Sequence, residues 1–410
     1  MTAPLRVGVM LPRDLDPARV LEFARRAEEL GFDELWVVED MGFRGGIAQA
    51  AAVLAVTTRI RVGIGILPAA ARNVAFEAME VATLAQLFPG RLDVGIGHGM
   101  PDWMRSVGAW PDRPLRYLGE HTTALRSLLR GERVGTAPTP TGPDAQPAGA
   151  DAQPAGAGAQ PAGADAQLHP MTQPPHRGGD TLGTIPTSPG ADAQVVGAER
   201  VGTVSGSHVG TTPDASRANA RADAAERPGG LRGVALEPGS VPEVVPGVLL
   251  GVRGPKSLAL SGRVADGTVL AEPTTPEYAR AALEAIAASG PHALVAYNVA
   301  AVAADTATAL ELARPGLEYV GDSGWAPHIA PLDFAEDFAA LRARFSDDDR
   351  AGFAAALPDE WVARLALAGT AGEVRARHES LARAGVTSSV LIPAGPDPFA
   401  ALDSLATALP

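Results

Sequence analysis

The sequence predicts an α/β chain folded as a (β/α)₈ barrel, and three observations carry that prediction. Strand and helix signals alternate along almost the whole chain. The strand candidates are short, continuous apolar runs, as in a parallel sheet covered by helices on its outer side. They number eight, the count that closes such a barrel. An open doubly wound sheet is the competing architecture.

The elements follow in order. Leu5, Val7, Val9 and Leu11 alternate as a first strand. Asp16-Pro17 reads as an N-cap with proline at the first helical position, and Val20, Ala24, Ala27 and Leu30 continue at helical spacing to Gly31. Leu35–Val38 is a second strand, followed by a small helix from Ile47 to Leu54. Ile60, Val62, Ile64 and Ile66 make the third strand, and Asn73 caps a helix that runs to Leu87 and stops at Pro89-Gly90. Leu92, Val94 and Ile96 form the fourth strand, and Pro114–Leu129 is helical. After a gap, Val248–Leu250 is the fifth strand, with a helix from Pro255. Thr268–Leu270 is the sixth, with a helix from Thr275 or Pro276 to Ser289, and Leu294–Val299 is the seventh. A broken helical stretch spans Ala304 to Ala384, Ser389–Ile392 is the eighth strand, and Phe399–Leu409 closes the chain.

The gap, residues 137–235, contains repeated PAGADAQ-like units at 147–153, 154–160 and 161–167, echoed at 190–194. Proline recurs in each unit, no apolar seam exists, and no Phe, Trp or Tyr occurs between Tyr117 and Tyr278. Such a segment buries too little surface to offset its ordering entropy, so it reads as a disordered low-complexity insertion before strand five. The expected organisation is 1–136 for the first half of the barrel, 137–235 for the insertion and 236–410 for the second half.

Composition excludes several functions. The net charge of −13 disfavours nucleic acid or an anionic membrane as partner. There is no cysteine, which removes thiolate chemistry and Cys-ligated zinc; no metal site is expected. The apolar start is too short for a signal peptide, and no stretch approaches a membrane span, so the expected location is the cytoplasm.

Barrel enzymes work at the C-terminal ends of their strands. After strand two come Glu39 and Asp40, candidates for acid–base work or substrate orientation. After strand four come Gly97-His98-Gly99, where glycines admit a cofactor to the backbone and His98 can exchange a proton near neutral pH. Their spacing lacks the third glycine of a dinucleotide fingerprint, so a Rossmann site fits poorly. After strand five, Gly251-Val252-Arg253-Gly254-Pro255-Lys256 reads as a phosphate cradle at a helix N-terminus, and Lys256 is the chain's one lysine. Trp103 and Trp110 offer an apolar wall for a ring system, or ordinary loop packing.

Four stretches, 31–40, 59–99, 246–278 and 367–393, resemble the bacterial-luciferase-like flavin-dependent oxidoreductases, and most of all their deazaflavin branch, which includes methylenetetrahydromethanopterin reductase. The resemblance implies a barrel with the flavin-type ring of FMN or coenzyme F420 over the strand ends. It also implies a non-proline cis peptide at the bulge ending strand three, here Gly65–Ile66, with Gly97-His98-Gly99 lining the ring and 251–256 holding its phosphate. Some deazaflavin enzymes carry a carboxylate–imidazole pair after strand two. Glu39-Asp40 stands there instead, which assigns proton handling to Asp40 or His98. The implied activity is hydride transfer between a deazaflavin and a small organic substrate, by a homodimer. A reduced-FMN monooxygenase and a non-catalytic flavin-binding protein are the alternatives.

Overall fold

The computed structural model describes residues 4–135 and 230–410. The described residues all belong to one compact unit. Its centre is a closed parallel barrel of β1 (Arg6–Met10), β2 (Glu34–Val37), β3 (Arg61–Pro68), β4 (Leu92–Gly97), β5 (Gly247–Gly251), β6 (Gly267–Leu270), β7 (Ala293–Val302) and β9 (Ser388–Pro393). Neighbours in the chain are neighbours in the sheet, β7 pairs with β9, and β9 pairs with β1 to close the ring. The (β/α)₈ expectation holds, and the doubly wound alternative falls.

The stretch expected to be helical from Ala304 to Ala384 differs. It contains a short strand, β8 (Leu367–Gly369), which pairs with the overhanging end of β7 at Ala300–Val302 and lies outside the ring. Three residues are too few to show a period, which is why the sequence pattern hides it. The rest of this long excursion folds into short helices around its own core, with Leu310, Phe338, Phe353 and Val362 buried against Val299 and Ala301 of β7.

Local signals explain the remaining elements. Asp16 accepts from the Ala18 amide and starts a single 3₁₀ turn before the helix Val20–Leu30, which ends on Gly31 at φ 93°. Asn73 caps Val74–Leu87, and Thr275 caps Pro276–Ile286. Both are polar side chains at the position where the first amides lack partners.

Inside the barrel, Trp36, Leu249, Val269, Val295, Tyr297 and Val390 form a plug. Trp36 meets Tyr297 edge to face at 5.8 Å, and a Cβ at Gly63 would overlap the indole. Below the plug, Glu34 is buried among Arg6 (2.7 Å), Trp36 Nε1 (2.7 Å) and the Ser388 hydroxyl (2.5 Å), so a carboxylate inside the barrel has its partners. Among the described residues no helix is long and apolar enough to cross a membrane.

The expected insertion lies outside the described residues apart from its last few positions. There Val134 and Val234 exchange two backbone hydrogen bonds, 2.8 and 3.0 Å, between the helix Pro114–Leu129 and the approach to β5.

Candidate active site

The C-terminal strand ends form the mouth. At its floor β3 bulges between Ile64 and Leu67, and the Gly65–Ile66 peptide is cis, as the resemblance implied. The bulge turns Ile66 toward its neighbours. Its side chain fills the places where Cβ atoms of Gly95, Gly97 and Gly251 would stand. Gly97 and Gly251 therefore serve a packing need: they make room for Ile66, which in turn forms part of the floor. A Cβ at Gly65 would overlap the Tyr297 hydroxyl, so that bond lies directly on the barrel plug. Gly99 has φ 72° and sits between Met104 and Pro68.

One wall of the mouth comes from the ends of β1 to β4. Glu39 accepts from Arg72 (2.8 Å) and from the Gly46 amide (2.8 Å) at the start of the helix Gly46–Val56. Asp40 is paired with Arg13 at 2.8 Å, and Arg13 also lies over the Phe43 ring. Each carboxylate is thus bound to its own arginine. His98 stands apart from both. Its ring faces Trp110 at 6.3 Å in a small cleft with Ala69, Pro114 and Tyr117, and burial alone pulls its pKa below the usual value. No interaction joins His98 to Asp40 or Glu39.

The opposite wall comes from the ends of β5, β6 and β7 and from the long excursion. The Arg253 guanidinium stacks 4.2 Å over Trp325 and donates to the Gly324 carbonyl at 3.3 Å. Its remaining donors have no protein partner among the described residues. The Arg253 carbonyl accepts from the Tyr278 hydroxyl at 3.0 Å. Trp325 Nε1 donates to the Glu272 carbonyl (2.7 Å), His328 Nδ1 contacts the Pro273 carbonyl (3.0 Å), and Asn298 clamps Thr274 from both sides at 2.9 and 3.1 Å. This holds the loop Glu272–Thr274 by three side chains bonded to main chain. Burial, and secondarily the nearby Arg253 charge, keep His328 neutral, its pKa near 3.

The 251–256 segment divides its labour. Val252 is buried and its amide donates to Val269, so that residue is structural. Gly254 precedes the helix Pro255–Val264, whose N-terminus has no side-chain cap. A Cβ at Gly254 would meet only the Ser257 hydroxyl, so the approach is open. Lys256 is exposed beside it and makes no ion pair with a described residue. An open helix N-terminus, an unpaired lysine and free guanidinium donors suit an anion.

The structure thus brings Gly65, Ile66, Gly97, Gly251 and Arg253 to one mouth, with Asp40 on the facing wall. Sequence reasoning missed Glu272, Arg13, Arg72, Tyr297, Trp325 and His328. The Glu272-Pro273 dipeptide directly after strand six was a usable signal, because it places a carboxyl at a barrel strand end.

The fold defines a (β/α)₈ barrel whose C-terminal strand ends carry the glycines and charged side chains described above. The luciferase-like monooxygenase family model matches residues 1–166 and 199–388, and the chain belongs to that family. It is 28% identical over 120 residues to a 5,10-methylenetetrahydromethanopterin reductase of Methanolobus tindarius, covering 29% of this chain and 37% of that protein. It is 33% identical over 147 residues to an F420-dependent glucose-6-phosphate dehydrogenase of Microbacterium testaceum, covering 33% of this chain and 44% of that protein. These alignments span about two fifths of the relatives' length. Among solved structures, the F420-dependent tetrahydromethanopterin reductase of Methanopyrus kandleri superposes with TM-score 0.61 at 17% identity, over 98% of both chains. A monooxygenase of Streptomyces bottropensis gives 0.56 at 17%, over 98% of this chain and 96% of that one. Both share the fold.

Proposed function

We propose that the protein is a flavin-type cofactor-dependent oxidoreductase that moves a hydride between coenzyme F420 and a small organic substrate, working as a cytoplasmic homodimer. The observation that carries this reading is the uncapped helix start at Gly254–Lys256 beside a floor built from Gly65, Ile66, Gly97 and Gly251. The names of the relatives aligned over part of the chain, F420-dependent enzymes, point the same way.

The residues present fit such a group. Lys256, the open amides at the helix start and Arg253 would hold its phosphate, Ile66 would back its ring, and His98 and Gly99 would flank it. When bound, the ring supplies the hydride chemistry; the chain supplies position and charge. Asp40, held by Arg13, and Glu39, held by Arg72, orient the polar part of a substrate. The bolted wall of Trp325, Tyr278 and Asn298 keeps Arg253 and Glu272 in place during turnover.

Fluorescence titration with F420 and with FMN tests the reading. Binding of at least one is expected, and binding of neither would overturn it. Arg253→Ala with Lys256→Ala is expected to weaken binding by about 1–3 kcal/mol, and unchanged affinity refutes the phosphate assignment. The family's description as monooxygenases supports a second reading, with reduced FMN and oxygen. Substrate-dependent oxygen uptake with reduced FMN would select it.

A further inference from the structure

The loop that joins β2 to the helix Gly46–Val56 is tied down along its whole length. Arg44 donates to the Pro12 and Leu15 carbonyls at 2.7 and 2.8 Å. Gln49 accepts from Arg44 at 3.1 Å and donates to the Val38 and Arg44 carbonyls at 2.9 and 3.0 Å. Glu39 adds its bonds to Arg72 and the Gly46 amide, and Asp40 its bond to Arg13. Within this frame Asp40–Phe43 is a β-turn. The Phe43 amide donates to the Asp40 carbonyl at 3.0 Å, and Gly42 has φ 86°, at a position where such a turn calls for positive φ.

The frame holds two large apolar side chains in solvent. Met41 is 43% exposed and Phe43 48%. A loose loop would fold such side chains inward; this one is fixed by its bonds to main chain and keeps them out. Phe43 is placed by contact: Arg13, after β1, binds Asp40 at 2.8 Å and lies 5.0 Å from the centre of the Phe43 ring. The ring therefore stands over the ends of β1 and β2. Met100, 40% exposed, follows Gly97-His98-Gly99 at the end of β4 on the same wall. Single exposed apolar residues are ordinary. Two on one rigid turn beside Asp40, with a third at a nearby strand end, leave apolar area for a ligand to bury.

We propose that Met41 and Phe43, with Met100, are the specificity-determining residues of the mouth, and that they select a substrate with an uncharged apolar body attached to one polar end. This names the substrate class of the oxidoreductase reading above and rests on it.

The turn itself argues for that occupant. Its two carboxylates each have an arginine, so this stretch offers no spare charge to an ionic tail. Met41 and Phe43 are continuous in the chain with Asp40, which orients the polar end, so the apolar body comes to rest on the turn next to it. Phe76, Met79 and Leu87 are exposed in a different way, along one side of the helix Val74–Leu87, a form suited to a broad flat partner. A two-residue tip between bonded supports is suited to a small molecule.

Ligand-observed NMR on the full chain measures the affinity of straight-chain primary alcohols from ethanol to octanol, without cofactor and with F420 or FMN. In the wild type each added methylene should tighten binding about twofold, half the free energy of full burial. Met41→Ser with Phe43→Ser should flatten that dependence, and Phe43→Leu alone should keep it. A wild type without the dependence, or a double variant that retains it, overturns the proposal. The double variant should also keep the wild-type mass in sedimentation and the wild-type cofactor affinity within about threefold. A halved mass assigns the turn to a subunit contact, a larger loss of affinity assigns it to the cofactor, and either result overturns the proposal. Fluorescence titration keeps the parent reading separate. If neither F420 nor FMN binds while the chain-length dependence stands, the oxidoreductase reading falls and the turn remains an apolar-ligand site. If a cofactor binds and the dependence is missing, the substrate assignment alone falls.

Discussion

The two walls of the barrel mouth are built by different means. The wall from β1 to β4 is tied by ion pairs between loops, Glu39 to Arg72 and Asp40 to Arg13. Its charges are spent on one another. The wall from β5 to β7 is tied by neutral side chains that bond main chain: Trp325, Tyr278, His328 and Asn298. That arrangement fixes the backbone and leaves Arg253 and Glu272 with capacity to spare. A site can therefore be rigid without neutralising its own charged groups, provided uncharged donors do the fastening.

The largest expected effect breaks the second wall. Trp325→Ala removes a mostly buried ring, its bond to Glu272 and its stacking on Arg253. A loss of about 3–5 kcal/mol in denaturant unfolding, with weaker cofactor binding, is expected. A loss below 1 kcal/mol would show that Trp325 is not a fastener.

His328 sharpens the comparison through pH. Its folded pKa lies near 3 against an ordinary 6.5. Between those values the unfolded chain binds a proton that the folded chain refuses, so stability falls as pH drops through that window, by up to about 1.4 kcal/mol per pH unit. Asn at 328 keeps a donor for Pro273 and removes the titration. As pH falls from about 7 toward 3, the wild-type urea midpoint should drop progressively relative to that of His328→Asn; a difference that does not change with pH would rule the assignment out.

Arg72→Ala tests the first wall. Glu39 keeps the Gly46 amide and some solvent contact, so about 1–2 kcal/mol is expected, shrinking in high salt. The smallest effect belongs to His98→Ala. It has no hydrogen bond to lose, and less than about 1 kcal/mol in stability is expected. A drop in cofactor affinity with unchanged stability would show that His98 touches the ring.

The barrel was legible because its strands are continuous apolar runs and its helices carry their own punctuation at Asp16, Gly31, Asn73 and Thr275. The resemblance located the bulge at Gly65–Ile66. Less was legible where partners lie far apart in sequence. Gly97 and Gly251 looked like openings for a ligand, but each makes room for Ile66, a contact no local pattern announces. Arg13 meets Asp40 across 27 positions, and Trp325 meets Glu272 across 53. Trp325 also sits in an excursion whose short helices give little periodic signal.

The two hydrogen bonds between Val134 and Val234 give the barrel an unusual convenience for engineering. They bring the two sides of residues 136–229 within one strand spacing, with the Gly135 backbone directly against that of Leu231. A two-to-four-residue turn can join those sides, so the barrel should accept excision of the segment, or its exchange for a reporter domain, as readily as a hairpin accepts a new loop. Such a graft would hang from the connection between β4 and β5, whose ends carry His98 and Arg253, and cofactor titration of the grafted chain would report how far the mouth feels it.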